Sequence, residues 1–281
     1  MKITLPEHDE KAMGGGWSWL YNFKKVMGDT ITSDYANADV FLIPSASMVD
    51  RETVYKAKED GKKIILRCDN IIKNSRNRGT GMTRMKDFAR VADVVVYQSR
   101  FAQDLLDRYL DTGMKQTVIM NGVDQEVFNP KGRQETDLAR YLYSKYSSDP
   151  TKNWDIARLA YQNVANDDTL LNIVGRFDGI EEYNFDFYQD EKYKYWGLVS
   201  DKNAMADIYR QSDYFLYTYF QDACSQTVIE ALCCGCEIVN VQDMANTGGT
   251  PEIVNFWDNF GAEYFTLDRM ARQYKEAIGG L

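Results

Sequence analysis

The sequence is poor in the residues that many enzyme mechanisms depend on. One histidine, His8, is present in 281 residues. Ser–His and Cys–His mechanisms would hang on that single side chain and are set aside. The five cysteines are an odd number, and Cys233, Cys234 and Cys236 straddle Gly235, where a helix end and a strand start are expected. Their side chains should diverge, which argues against a zinc cluster or a disulfide framework and fits buried thiols in a reducing compartment. No apolar run reaches the roughly 18 residues of a membrane-spanning helix, and the N-terminal MKITLPEHDE has no apolar core of the signal-peptide kind. Positive charge is also in deficit: 33 Lys and Arg against 42 Asp and Glu leave a net charge of −9. Such a surface repels nucleic acid at long range. A cytoplasmic protein without a nucleic-acid partner is expected, and peripheral contact with a lipid acceptor stays open.

What is present is a globular composition, 44% hydrophobic and 27% charged, with short apolar runs alternating with amphipathic stretches. Lys2–Leu5, Val40–Ile43, Ile64–Arg67, Asp93–Tyr97 and Thr117–Met120 read as strands. Helices are expected from about Trp17 to Met27 and over Asp50–Asp60, Thr83–Val91 and Phe101–Leu110. A polar stretch with NGVD, NP and KG follows. The alternation then resumes with strands at Tyr141–Tyr146, Leu170–Val174, Tyr193–Trp196, Tyr214–Tyr217 and Glu237–Val241. Helices at Trp154–Val164, Met205–Gln211 and Ser225–Cys234 fall between them. Repeated strand–helix alternation is the pattern of parallel sheets covered by helices. The expectation is α/β, two doubly wound parallel-sheet domains facing across a cleft, residues 1–127 and 128–281. The acidic-aromatic stretch 178–190 reads as a surface loop or flap.

Ligands of open α/β sheets bind at the carboxyl ends of strands, and three loops there draw notice. Gly14-Gly15-Gly16 follows the first strand and precedes a helix, a place where backbone can approach a phosphate. On its own it fits a flexible turn equally well. In YTYFQDACSQTVIEALCCG, Asp222 lies in the strand-to-helix turn, Ser225 is the expected N-cap, and Glu230 sits about a turn and a half into the helix. Amides at Cys224, Ser225 and Gln226 and the helix dipole would face a diphosphate. A lone acid pair of this kind fits a capped helix with an incidental surface Glu better. In GGTPEIV, Thr250 is the expected N-cap and Pro251 opens the helix. Arg76, Arg78 and Arg84 form a separate basic group.

Taken in order, these segments resemble the retaining glycosyltransferases of family 4, which have the GT-B fold. ADVVVYQSRFAQDLL is similar to the family's last strand, Ser and helix of the first domain. VIMNGVDQEVFNP is similar to its domain junction. The run from YWGLVSDKN to GCEIV, followed by GGTPEIV, is similar to its second-domain core and closing loop. The resemblance implies transfer of a sugar from a nucleoside-diphosphate donor, a UDP- or GDP-sugar, to a glycan, lipid or small-molecule acceptor, with retention and with no metal or other cofactor. It leaves room for the last helix to pack back on the first domain. The family's acidic pair is spaced E-x7-E; Asp222 and Glu230 keep the spacing with Asp in the first place.

By the same resemblance, Asp222 and the amides of Ala223, Cys224, Ser225 and Gln226 would contact the donor sugar and phosphates, and Glu230 the ribose hydroxyls. Gly15 and Gly16 match the glycine loop beside the phosphates, and Lys152 the family's phosphate-binding Lys. Where the family has an Arg a few residues before that Lys, this chain has Ser147 and Ser148; Arg176 is a candidate for the second cation. The family's first-domain His is replaced in LRCDN by Asp69 or Asn70. Asn70, Arg76, Arg78 and Arg84 are candidates for the acceptor side, and Asp222, Lys152 and Asp69 for the chemistry. A monomer or homodimer is expected. The alternatives are a nucleotide-sugar 2-epimerase of the same fold and a non-catalytic nucleotide-sugar-binding module.

Overall fold

The computed structural model describes residues 1–6, 15–69, 79–110, 115–176, 191–219, 222–240 and 248–281. The described chain groups into two compact units. Unit 1 comprises Met1–Gly122, Asp222–Cys224 and Glu263–Leu281; unit 2 comprises Val123–Gln221 and Ser225–Ala262.

In unit 1, β1 (Ile3–Thr4), β2 (Val40–Ile43), β3 (Lys63–Cys68), β4 (Val94–Tyr97) and β5 (Lys115–Val118) form one parallel sheet in that order. Between them run α1 (Gly15–Met27), α2 (Arg51–Glu59), α3 (Gly79–Val91) and α4 (Arg100–Leu110). The sequential order looks singly wound until Ile31 is included. Ile31 bridges Ile3 in parallel on its own, and Thr32 N donates to Ile3 O at 2.9 Å. The chain therefore leaves β1 through α1 toward Ile31 before it enters β2. That reversal is the topological switch point of a doubly wound sheet.

Both faces of the sheet are covered. Val54, Ala57, Phe88, Ala102 and Leu106 from α2, α3 and α4 pack on one side with Phe41, Leu66 and Val95. On the other side, Trp19 and Phe23 of α1 and Met270 and Tyr274 of α9 (Leu267–Gly279) pack with Val40, Leu42 and Ile65. The last helix thus belongs to the core of unit 1. Strands buried on both faces read as unbroken apolar runs, which is why VFLI and VVVY stood out in the sequence.

In unit 2, β6 (Ala139–Ser147), β7 (Thr169–Arg176), β8 (Tyr193–Gly197), β9 (Tyr214–Tyr217) and β10 (Glu237–Asn240) form a parallel sheet of order β10-β9-β6-β7-β8. The chain starts in the middle, runs outward through β7 and β8, and returns to the other side of β6. The switch point lies between β6 and β9. The accompanying helices are α5 (Trp154–Gln162), α6 (Lys202–Arg210), α7 (Gln226–Cys233) and α8 (Thr250–Phe260). Tyr143, Tyr146, Trp154 and Tyr161 make an aromatic core between α5 and the sheet. Much of the tyrosine content is spent here.

Element boundaries follow local chemistry. Asp50 caps α2, its carboxylate accepting from Thr53 N at 2.8 Å, and Gly61 past the helix end takes φ +78°. The expected N-cap at Thr250 is corrected: Gly249 occupies the cap and Thr250 is the first helical residue. Pro251 follows in the first turn, where a missing N–H costs nothing. The expected loop at Gly15 and Gly16 is the first turn of α1. Gly14, His8 and the stretch 178–190 lie outside the described residues.

Candidate functional site

The switch point of unit 2 is built by a loop that Asp149 folds. Its side chain accepts from Thr151 N at 3.0 Å and from Thr151 Oγ1 at 2.7 Å, closing a short 3-10 turn over Pro150–Lys152. Asn153 then takes φ 55° and ψ 48°, the one non-glycine left-handed residue among the described residues. Asn tolerates that region better than most residues, and such positions gather at functional sites. Two hydrogen bonds tie this loop to the end of β9. Asn153 Nδ2 donates to Thr218 O at 2.9 Å, and Thr218 Oγ1 donates to Lys152 O at 2.7 Å. Tyr143 Oη reaches the same carbonyl at 2.6 Å. Lys152 N also donates to Asp149 O at 2.9 Å, so Lys152 is held at its backbone by three hydrogen bonds, and its ammonium lies 3.7 Å from the centroid of the Tyr219 ring, within cation–π range.

After β9 the chain reaches α7. Ser225 stands at the N-cap as expected, but its hydroxyl pairs with Thr227 Oγ1 at 3.1 Å and caps no amide. Glu230, half-buried on α7, has its carboxylate 3.5 Å from Tyr209 Oη. Desolvation by the surrounding protein pushes this carboxyl up to about 7, against the opposing pull of Lys145, Lys202 and the Tyr209 hydroxyl. The same carboxylate, after burial, helps hold the Tyr209 phenol well above its ordinary range. A carboxyl with that balance changes charge near neutrality. Arg176 is the exposed last residue of β7, opposite Ser147 in register.

Unit 1 holds a second polar group at the carboxyl ends of its strands. A Cβ built on Gly16 would meet Met48 Sδ at 3.2 Å and Asp69 Oδ2 at 3.7 Å. The first turn of α1 therefore comes directly against Asp69. Beside it, the buried guanidinium of Arg67 donates to Pro44 O at 2.9 Å, Gln98 Oε1 at 2.7 Å and Asn121 Oδ1 at 3.2 Å, with its face 4.3 Å from the Trp19 ring. Because an arginine can only donate, Asn121 must present its oxygen there and its amide nitrogen elsewhere. That nitrogen donates to Cys224 O at 2.8 Å. Cys224 N in turn donates to Asp222 Oδ1 at 3.3 Å. Asp222, Ala223 and Cys224 are thereby seated in unit 1, with Ala223 in its apolar core.

The candidates fall into two groups. Gly16, Asp69 and the Asp222–Cys224 turn gather in unit 1; Lys152, Ser225, Gln226 and Glu230 belong to unit 2. Arg84 is tied to backbone, its Nη1 donating to Val49 O at 3.1 Å and Ala46 O at 3.5 Å. Asn70, Arg76 and Arg78 lie outside the described residues. Arg67, Asn121, Asn153 and Tyr219 were not singled out from sequence. Only the NGVD junction carried a signal for any of them, through Asn121. All five cysteines are buried and none forms a disulfide, and Cys236 Sγ donates to Tyr209 O at 3.1 Å. A groove of about 480 Å³ beside α9, lined by Val26, Asp268, Arg272 and Lys275 among others, contains none of the candidates.

No family model matches the chain, and no curated protein matches its sequence. Solved structures do match. HepE of Anabaena in complex with UDP aligns with a TM-score of 0.74 at 14% identity, covering 100% of both chains. Sucrose-phosphate synthase of Thermosynechococcus elongatus aligns at 0.58 and 16% identity, over 91% of this chain and 71% of that one. The catalytic domain of starch synthase IV from Arabidopsis thaliana, bound to ADP and acarbose, aligns at 0.59 and 13% identity, over 93% and 75%. The fold is GT-B. In GT-B terms, unit 1 with its α9 is the N-terminal domain and unit 2 the C-terminal one. Among the described residues no helix is long and apolar enough to cross a membrane.

Proposed function

We propose that this chain is a glycosyltransferase that moves a hexose from a nucleoside-diphosphate sugar to an acceptor with retention of configuration. The observation that carries the proposal is the switch point of unit 2. A lysine held by three backbone anchors, the start of α7 and a carboxyl that titrates near neutrality occur together where α/β sheets bind ligands. The matched HepE structures hold UDP, UDP with glucose, or UDP-glucose, which favours a uridine donor over a guanosine one.

In this scheme Glu230 accepts hydrogen bonds from the ribose hydroxyls. Lys152 and the α7 start, with the Ser225 and Gln226 amides, take up the negative charge that develops on the leaving diphosphate. Asp222, the amides of Ala223 and Cys224, and Gly15, Gly16 and Asp69 are the donor-side candidates that unit 1 carries. Arg176 is a further donor-side candidate, and Arg84 borders the acceptor side. Charge stabilisation by side chains and a helix start calls for no cofactor beyond the donor itself. A cytoplasmic enzyme acting on a sugar or lipid-linked acceptor fits the composition.

The test is a screen of UDP-, GDP- and ADP-sugars for thermal stabilisation and for slow hydrolysis without acceptor. A donor at about a hundred times its Kd should stabilise the fold by roughly 2.7 kcal/mol. Stabilisation with turnover supports transfer, and stabilisation without turnover in the presence of glycan, lipid and small-molecule acceptors would favour a binding module. No stabilisation by any of the three would remove the proposal.

A further inference from the structure

The strand β6 carries an irregularity that its sequence does not announce. Tyr143 pairs with Ile173 of β7 and Tyr146 with Gly175, so two residues, Ser144 and Lys145, stand opposite the single residue Val174. This is a β-bulge, uncommon in a parallel pair, and bulges re-aim side chains next to functional sites. Its partner Gly175 has φ 133°, and a side chain there would collide with the Tyr146 carbonyl. The effect on orientation shows in the core: Tyr143 and Tyr146 both pack on Trp154, at 5.2 and 4.9 Å between ring centroids. Regular alternation would have put Tyr143 and Lys145 on that face together. The bulge gives the place to Tyr146 and releases Lys145.

Released, Lys145 extends its ammonium to 5.9 Å from the Tyr219 ring, the ring that Lys152 meets at 3.7 Å. Lys145 forms no hydrogen bond through its ammonium and no ion pair with the described residues. It sits close enough to Glu230 to favour that carboxylate's charged form. An ammonium normally finds a carboxylate or stays fully in water. Two lysines directed at one aromatic ring, one of them unpaired and both above the switch point, make a site for a dianion.

We propose that Lys145 and Lys152, aligned by the Tyr219 ring, form the diphosphate-binding pair, with Lys145 supplying the second cation in place of Arg176. The inference rests on unit 2 being the donor-binding unit.

Calorimetric titration with UDP and, separately, with uridine tests it. At pH 8, Lys145→Met should weaken UDP binding roughly tenfold or more, the worth of one charge-assisted contact, and leave uridine binding within about twofold. Lys145→Arg should restore most of the UDP affinity. Lys194→Met, which removes a lysine stacked 3.8 Å over Trp196 on the outer strand β8, is the control for general loss of charge. Equal losses for UDP and uridine would mean that Lys145 acts only through Glu230, and would overturn the pair. Unchanged UDP affinity in Lys145→Met, or a tenfold loss in Arg176→Met instead, would overturn it too. Wild-type protein that binds neither UDP nor uridine would remove the donor-site reading itself, a separate failure.

Discussion

Replacing Glu230 by glutamine should flatten the pH dependence of donor binding. In the unliganded protein, burial lifts this carboxyl from 4.5 to about 7. At pH 6 roughly one molecule in ten then carries the anion, and at pH 8 roughly nine in ten. Ribose hydroxyls donate to a carboxylate more strongly than to a neutral acid, so wild-type affinity for UDP-glucose should fall roughly tenfold between pH 8 and pH 6. UDP-glucose suits the measurement because its diester diphosphate does not titrate in that window. Glu230→Gln should bind more weakly at pH 8 and with the same affinity at pH 6 and pH 8. Stability moves the other way. A carboxyl whose folded value lies above its unfolded one stabilises the fold most when protonated, and that contribution is lost as pH rises from 4.5 through 7. The loss between pH 5 and pH 8 is on the order of 2 kcal/mol before solvent access at this half-buried group reduces it. Urea unfolding should show that slope in wild type and not in Glu230→Gln. A wild-type affinity that is flat from pH 6 to pH 8, or a glutamine variant that keeps the slope, would refute the assignment.

Lys152→Ala should lower turnover by roughly 2–4 kcal/mol in barrier height, the cost of losing a group aimed at developing charge; steady-state rates with saturating donor measure it. Asn121→Asp should destabilise unit 1 by roughly 1–3 kcal/mol. It sets a second oxygen against the Cys224 carbonyl where an N–H now donates at 2.8 Å, and chemical denaturation reads the change. Gly175→Ala should cost about 3 kcal/mol or more, because the left-handed φ of 133° and the Tyr146 carbonyl both reject a methyl group. Its melting temperature should fall well below that of wild type.

Much of the fold could be read from the chain. The clearest strands, VFLI and VVVY, fall on the expected apolar runs, because strands buried on both faces leave no room for alternation. Lys115–Val118 instead begins two residues before the expected Thr117–Met120, and Tyr193–Gly197 is half-buried or exposed throughout. Helix ends were legible where a short side chain or glycine made them so, as at Asp50 and Gly61, and illegible where a glycine served as the cap, as at Gly249 before Thr250. The switch points were not legible. Strand order in unit 1 turns on one bridge between Ile3 and Ile31, a non-local pairing for which Ile31 gives no periodic cue.

The candidate site divides along the same line. Asp222 and Glu230 stand out in the chain because charge and spacing are properties of sequence, and Lys152 is marked there only by the family resemblance. What holds them does not stand out, because it is a property of three-dimensional register. Asp222 and Cys224 follow β9 directly in the chain, and their contacts nevertheless group them with unit 1. Asn121 is the cause: Arg67 claims its oxygen, so its amide nitrogen is free to hold the Cys224 carbonyl. Lys145 is the same case. Its neighbours Tyr143 and Tyr146 differ by three positions, a spacing that in a regular strand puts side chains on opposite faces. Both tyrosines nevertheless reach Trp154, which requires one extra residue between them. A lysine in that extra position is freed from the pleat and turned toward Tyr219. Expecting strands at Tyr141–Tyr146 and Leu170–Val174 could not reveal this, since the offset exists only between the two strands and Gly175 is what lets it close.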